Sequence, residues 1–284
     1  MDKQDRQDKF QEAYKKLAVA RRFLLVGHLS PDADALSSIG AITDLVRPWA
    51  KEIYSFASGK PEGIYDFIPY SKSVSGEEPA DLRAFDIIVI MDCGSVSRTG
   101  LKLRLRNMVE QADSGLIADR PYIIEIDHHE PQDSCADLEI RDPEQASTTE
   151  LIYHFLKANR LPISREQADC ILTGLLSDTG NFLHSNSSQE VLRIASEMLV
   201  YGASFPRIID NTVHNQSLSA LKVWGRILEN MKVDVETGFV SSAVSEQELA
   251  ELLTPEEKGA VGDIFGGAVS FLNSLDGAEV ALLL

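Results

Sequence analysis

The chain has 284 residues, 44% hydrophobic and 25% charged, a composition that supports a packed core, and at roughly 150 residues per domain it predicts two domains or one large one. No apolar run exceeds five residues (Ile87 to Met91, Val280 to Leu284) and the opening MDKQDRQDKFQEAYKK lacks an apolar signal stretch, which predicts no membrane span and no secretory signal. With 44 acidic against 27 basic side chains, a net charge of −17 and no Lys/Arg run longer than two, extended duplex binding is disfavoured, whereas a short phosphorylated ligand stays open because bound cations reverse the field inside a cleft.

In chain order, residues 5–20 read as a helix, FLLVGH (23–28) as a short buried strand, and LSPDAD as a turn into a helix over 35–46 that stops before Pro48. KEIYSFA (51–57) is a second strand, and the Gly-, Pro-, Ser- and Glu-rich stretch 58–84 reads as loop with one helical turn around IYDFI. FDIIVIMD (85–92) is the strongest strand signal, a continuous apolar run as in a central strand covered on both faces. A helix over 103–112, a buried strand PYIIEIDHH (121–129) and a short edge strand ADLEIRD (136–142) follow. Ser147 with Glu150, Ser164 with Gln167, and Ser187 with Glu190 have capping-box spacing and predict three helix starts.

Strand and helix alternate through the first 160 residues, which predicts an α/β fold: an N-terminal, mostly parallel sheet with helices on both faces. Helix-rich sequence runs on to about residue 230, then a hairpin turning near Thr237-Gly238, two short helices (the second opening at Thr254 with Glu257), and a closing pair of strands. The expected division is a larger domain over 1–205, a helical linker over 206–231, and a smaller α+β domain over 232–284, where GAEVALLL stops inside an apolar strand and reads either as a tightly docked tail or as a truncated one. Cys93, Cys135 and Cys170 form no CxxC pair and are odd in number, which argues against a disulfide framework and for a reducing, cytoplasmic setting.

Three of the buried strands finish on ionisable residues: His28 with Asp32 and Asp34 beyond it, Asp92, and Asp127-His128-His129. Asp178 ends a fourth apolar run, LTGLLSDTGNF. In an open parallel sheet, side chains beyond the carboxyl ends of strands converge on ligands. Taken singly, Asp32 or Asp34 is a helix cap and His28 or Asp178 a satisfied polar residue; taken together they form a mixed oxygen and nitrogen ligand set. Such a set without thiolates favours Mn²⁺, Mg²⁺ or Fe²⁺, and it has enough members for two ions. Ser147-Thr148-Thr149 reads as a cap or a phosphate contact, Cys93 as a small buried residue, Asp44 as helix surface, and His154, His184 and His214 as surface or packing histidines. Neither GxxxxGK[ST] nor a strand-linked GxGxxG is present.

The ordered set HLSPDAD (28–34), IMDCGS (90–95), IDHH (126–129) and LLSDTGNF (175–182), with ASTTELI (146–152) between, resembles the DHH phosphoesterase superfamily. Within it the chain is similar to short bacterial proteins related to the nanoRNase and 3′-phosphoadenosine-5′-phosphate phosphatases, and more distantly to RecJ-type exonucleases and family-II inorganic pyrophosphatases. The resemblance implies a cytoplasmic hydrolase with two divalent metal ions, Mn²⁺ first and Mg²⁺ second. His28 and Asp32 would hold one ion, Asp34, His128 and Asp178 the other, and Asp92 would bridge them. Asp92, Asp127 and His129 form the expected catalytic group, with His129 facing the substrate and Asp127 orienting its neighbours.

The implied reaction is attack of a metal-activated hydroxide on phosphorus in short single-stranded oligonucleotides or small nucleotides such as pAp. Long duplex nucleic acid and membranes are not among the expected partners; a homodimer is. The alternatives are a family-II-type pyrophosphatase and a metal-containing nucleotide-binding or regulatory protein without full activity. Two departures from the family pattern stand out. Ala33 replaces the glycine between the first two aspartates, and residues 232–284 carry no GGGH-type substrate motif, since Gly266-Gly267 lacks the histidine.

Overall fold

In the computed structural model, α1 (Lys3–Val19) leads into β1 (Arg22–Val26), α2 (Ala33–Val46), β2 (Glu52–Phe56), the two-residue strand β3 (Val74–Ser75) and β4 (Ile87–Met91). Then come α3 (Lys102–Asp113), β5 (Tyr122–Asp127), β6 (Leu138–Arg141), α4 (Thr148–Ala158), α5 (Arg165–Asp178), α6 (Gln189–Val200) and α7 (Phe205–Thr212). The structure describes residues 3–59, 63, 65–212, 217–234, 236–254, 264, 265, 268, 269, 271, 272, 275 and 278–284. The chain divides into two units, Met1–Asn211 and Thr212–Leu284.

The first unit is built on six parallel strands in the order β3-β2-β1-β4-β5-β6. Side chains alternate across the pleat, so Phe23, Leu25, Val89, Met91, Ile124 and Ile126 bury one face against Leu17 of α1, Ile39 of α2, Leu151 of α4 and Leu175 of α5. Leu24, Val26, Ile88, Ile90 and Ile123 bury the other against Leu105 and Met108 of α3. Cover on both faces is why these strands read as unbroken apolar runs. From β1 the chain moves outward to β2 and β3, then crosses back to β4 on the other side of β1. The reversal opens a crevice beyond the carboxyl ends of β1 and β4.

Local signals explain most of the helix starts. Ser164 and Gln167 form a complete capping box. Ser147 accepts from the Glu150 amide, but the Glu150 carboxylate turns to the Ala146 N–H, so only half of that box exists. For α6 the cap is Ser188, bonded to the Val191 amide, one residue later than the expected Ser187. In the long loop, Ile68 N–H closes a turn on the Tyr65 carbonyl, and an unforeseen 3-10 turn over Ser71–Ser73 delivers β3 to the sheet edge.

In the second unit, α8 (Leu218–Glu229) packs Ala220, Val223 and Ile227 against Val240, Val244, Leu253 and Leu272. Strands β7 (Lys232–Asp234) and β8 (Phe239–Ser242) form the expected hairpin, followed by α9 (Glu246–Leu252), and β9 (Val280–Leu283) joins β8 in parallel. The stretch expected to link the domains is thus divided, α7 falling almost wholly in the first unit and α8 in the second. In place of the closing strand pair, β9 is the single strand among the described residues of that stretch. Glu257, the partner expected for Thr254 in the last capping box, and Gly266-Gly267 lie outside the described residues. No helix among the described residues is long and apolar enough to cross a membrane.

Candidate metal centre

Beyond β1, His28 is buried, and its Nδ1 lies 2.8 Å from the Leu29 carbonyl. A donor at Nδ1 leaves Nε2 as the free acceptor; Nε2 lies 3.6 Å from Asp32 Oδ2 and 3.9 Å from Asp92 Oδ2. Asp32 divides its two oxygens: Oδ1 caps α2 by accepting from the Ala35 amide at 3.0 Å, while Oδ2 faces His28. The cap reading and the ligand reading of this residue are therefore compatible.

Asp34, in the first turn of α2, is fully buried and clasped by the start of α4. Its Oδ2 accepts from Thr148 N at 2.7 Å, and its Oδ1 accepts from Thr149 N at 3.2 Å and Thr149 Oγ1 at 2.7 Å. Gly174 of α5 makes room for this clasp: a methyl group there would overlap both Asp34 Oδ1 and Thr149 Oγ1.

Asp92 follows β4 in the left-handed region, with φ at 59°, a strained setting for an L-residue of the kind that clusters at active sites. Its N–H is tied to the Ile126 carbonyl at 3.1 Å, and its Oδ1 accepts from Thr148 Oγ1 at 3.0 Å. Beyond β5, His128 Nε2 lies 3.5 Å from Asp92 Oδ1 and 3.3 Å from Asp178 Oδ2, and His129 Nδ1 lies 2.8 Å from Asp127 Oδ1. Three sets result, each with ligand atoms within 4.8 Å of one another: His28, Asp32 and Asp92; Asp34, His128 and Asp178; Asp92, His128 and His129. The structure thus brings all eight of the residues singled out at the strand ends into one crevice.

Such a concentration of carboxylates is unfavourable without a cation. Burial, and then the charge of Asp92, push Asp34 up to about 7. Burial, with Asp34 and Asp92 behind it, pushes Asp178 up to about 11, and Asp92 is raised by burial as well. For His128, burial opposes the charged form but is outweighed by its bond to Asp92 and the charge of Asp34, which carry it up to about 9. Buried oxygen and imidazole donors that hold protons because they are desolvated and crowd each other fit divalent cations, which would satisfy all of them at once. No thiolate competes, since Cys93 is buried with its thiol directed to the Met91 carbonyl.

Around these residues lies a supporting layer in which the sequence singled out Asp127 and Ser147-Thr148-Thr149 but not Arg141 or Gly94. Asp127 is held low, against burial, by the side chain and amide of His129, by Arg141 and by the Gly94 amide, which donates to its Oδ2 at 2.5 Å. Arg141 Nη1 lies 3.5 Å from Asp127 Oδ2 and donates to the His129 carbonyl at 3.2 Å, and its other nitrogens pair with Glu125 and Glu139. Gly94 stands within the IMDCGS motif, so a signal was present; an arginine in a short edge strand carries none. Ser147 is a cap, as one reading had it, but Thr148 and Thr149 turn their amides and hydroxyls to Asp34 and Asp92. His184 is exposed beside the Asp178 carbonyl at 3.4 Å, and His154 sits near Glu150. Asp44 is not plain helix surface: it accepts from Tyr70 Oη at 2.5 Å and Ser164 Oγ at 2.7 Å. His214 lies outside the described residues.

Residues 22–175 match the N-terminal domain of the DHH family. The bifunctional oligoribonuclease and PAP phosphatase NrnA of Bacillus subtilis is 25% identical over 263 residues, 90% of this chain and 78% of that protein. The protein of the same description from Thermus thermophilus is 26% identical over 254 residues, 89% of this chain and 72% of its own length. Among solved structures, an exopolyphosphatase-related protein from Bacteroides fragilis shares the fold with a TM-score of 0.78 at 24% identity, over 96% of this chain and 78% of that one.

Proposed function

Because the chain belongs to the DHH family, we propose that it is a phosphoesterase dependent on two divalent metal ions, manganese before magnesium, that hydrolyses short oligonucleotides or small nucleotides such as pAp. The observation that carries this reading is Asp92: its Oδ2 faces His28 and its Oδ1 faces His128, so one carboxylate belongs to the ligand sets on both sides. His28 and Asp32 would hold one ion and Asp34, His128 and Asp178 the other, with Asp92 common to both. Ions held there would supply a water that ionises near neutral pH and would neutralise charge gathering on phosphorus during an in-line displacement.

The chain's own residues do the rest. Asp127 accepts from Nδ1 of His129 and fixes the imidazole so that Nε2 is turned away from Asp127, toward the substrate side. Arg141 keeps Asp127 charged for that task. Thr148 and Thr149 hold Asp34 and Asp92 in place by hydrogen bonds that a water shell would otherwise supply. The net charge of −17 supports short substrates, since it repels a long polyanion.

The test is Mn²⁺-dependent turnover of a dinucleotide, pAp and pyrophosphate side by side, with Asp92→Ala as control. Turnover of the dinucleotide or pAp that falls to background in the variant is the expected result. Turnover of pyrophosphate alone would replace this reading with a pyrophosphatase. Mn²⁺ binding with no turnover of any of the three would make the chain a binding or regulatory protein.

A further inference from the structure

A phosphate substrate meets a crevice whose charges are already spoken for. The carboxylates of Asp32, Asp34, Asp92 and Asp178 would match two divalent ions charge for charge, and Arg141, shared by Asp127, Glu125 and Glu139, has no charge to spare. A substrate with a second phosphate needs another cation, and Arg98 is placed to be that cation. It stands in the 3-10 turn Val96–Thr99 after β4. The root of its side chain is fixed, since its N–H bonds to the Ser95 carbonyl at 3.0 Å and its carbonyl accepts from the Leu29 amide at 2.7 Å, next to His28.

The guanidinium lies over Gly94 beside His129: a methyl group at Gly94 would sit 3.6 Å from Arg98 Nη1 and 3.5 Å from His129 Cγ. The side chain is exposed, and it makes no ion pair among the described residues. Its neighbours on α3 differ, Lys102 and Arg106 pairing with Asp133 and Arg104 with Glu78. A cation held ready beside the reacting centre and left without an internal partner suits an anionic group on the ligand.

We propose that Arg98 binds the phosphate adjacent to the one attacked, and so selects nucleotides that carry a second phosphate; the inference rests on the phosphoesterase reading above. The attacked phosphorus belongs over the ligand sets around Asp92, and the Arg98 guanidinium lies beside His129, the most exposed member of the Asp92, His128 and His129 set, at the solvent edge where a second phosphate would sit.

The experiment measures KM and kcat for pAp and for adenosine 3′-monophosphate in Mn²⁺, using the wild type, Arg98→Ala and Arg98→Lys. Calorimetric binding of pAp with Ca²⁺ in place of Mn²⁺ runs alongside. Loss of a charged hydrogen bond predicts that Arg98→Ala weakens pAp binding and raises its KM by about tenfold or more. The preference for pAp over the monophosphate falls by a similar factor, and Arg98→Lys restores part of it. An equal fall in kcat on both substrates with KM unchanged would overturn the inference, as would no change at all. If the wild type turns over neither of these substrates nor a dinucleotide, the phosphoesterase reading fails, while the binding measurement still decides Arg98: unchanged pAp affinity in Arg98→Ala refutes its role, and weakened affinity supports it.

Discussion

Gly174 faces the carboxylate of Asp34 so closely that no side chain fits between them. The glycine costs α5 some helix propensity, and in return the helix lies directly on the first turns of α2 and α4. Gly174→Ala would therefore destabilise the protein despite alanine's better propensity. Overpacking of this kind costs about 1–3 kcal/mol, and at roughly 2–4 °C per kcal/mol for a domain of this size the thermal midpoint should fall by several degrees. A melting curve at or above that of the wild type would show that Asp34 can shift without cost.

Thr148 donates its amide to Asp34 and its hydroxyl to Asp92, so it holds one carboxylate from each side of the crevice. Thr148→Val keeps the shape and the amide but loses the hydroxyl. Residues that orient ligands in this way typically carry about 10–100-fold in metal affinity or activity. Titration of the variant with Mn²⁺ should show weakened binding within that range, while its circular dichroism spectrum stays that of the wild type. Unaltered Mn²⁺ affinity would mean that Asp92 needs no such support.

Arg141 and Glu125 are 4% and 2% exposed at their side chains and pair across β5 and β6. Burial lifts Glu125 to about 7 in spite of this partner. Removing one member of a buried pair leaves the other charge uncompensated, at a cost of about 3–5 kcal/mol. Arg141→Ala should lose stability on that scale in urea unfolding, and the double variant Arg141→Met with Glu125→Leu should lose much less. Equal losses in the two proteins would assign the effect to packing rather than charge.

The proton affinity of Asp34 sets the sign of a pH effect on the metal-free protein. Its folded value, about 7 through burial and then the charge of Asp92, lies above the ordinary aspartate value near 3.9. The folded state therefore holds the proton more tightly than the unfolded state. The stability this contributes is complete below about pH 4 and is lost as the pH climbs through about 7. Chelator-treated protein should melt at a lower temperature at pH 8 than at pH 5, and added Mn²⁺ should raise the midpoint more at pH 8. A midpoint that rises over this interval without metal would contradict the assignment.

The parts of this architecture that sequence reveals are those in which burial and polarity conflict. A covered strand such as Ile87–Met91 needs every residue apolar, so the abrupt arrival of Asp92 announces a partner. The same reasoning applies to His28 and to Asp127-His128-His129, and their convergence follows from parallel strands lying side by side. Interactions made through the backbone leave no such trace. Nothing in the composition says that the Gly94 amide turns to Asp127, or that the amides at the start of α4 turn to Asp34. Neighbouring serines were ambiguous for a related reason: Ser187 and Ser188 cap equally well on paper, and the turn leading into α6 selects the second. β3 escaped notice because two residues carry no period, and its pairing depends on where Ser55 and Phe56 already lie.

The proposed ligands follow β1, β4 and β5 and close α5, so none of the three sets comes from one stretch of chain. A nascent or partly folded chain offers any passing cation at most a weak, local pair of donors. Loading would therefore come after folding, and the supply of divalent metal would act on the finished domain rather than on its assembly. It follows that ion binding is linked to the folded state: a bound ion would stabilise this unit by mass action, and unfolding of the sheet would scatter its donors and release it.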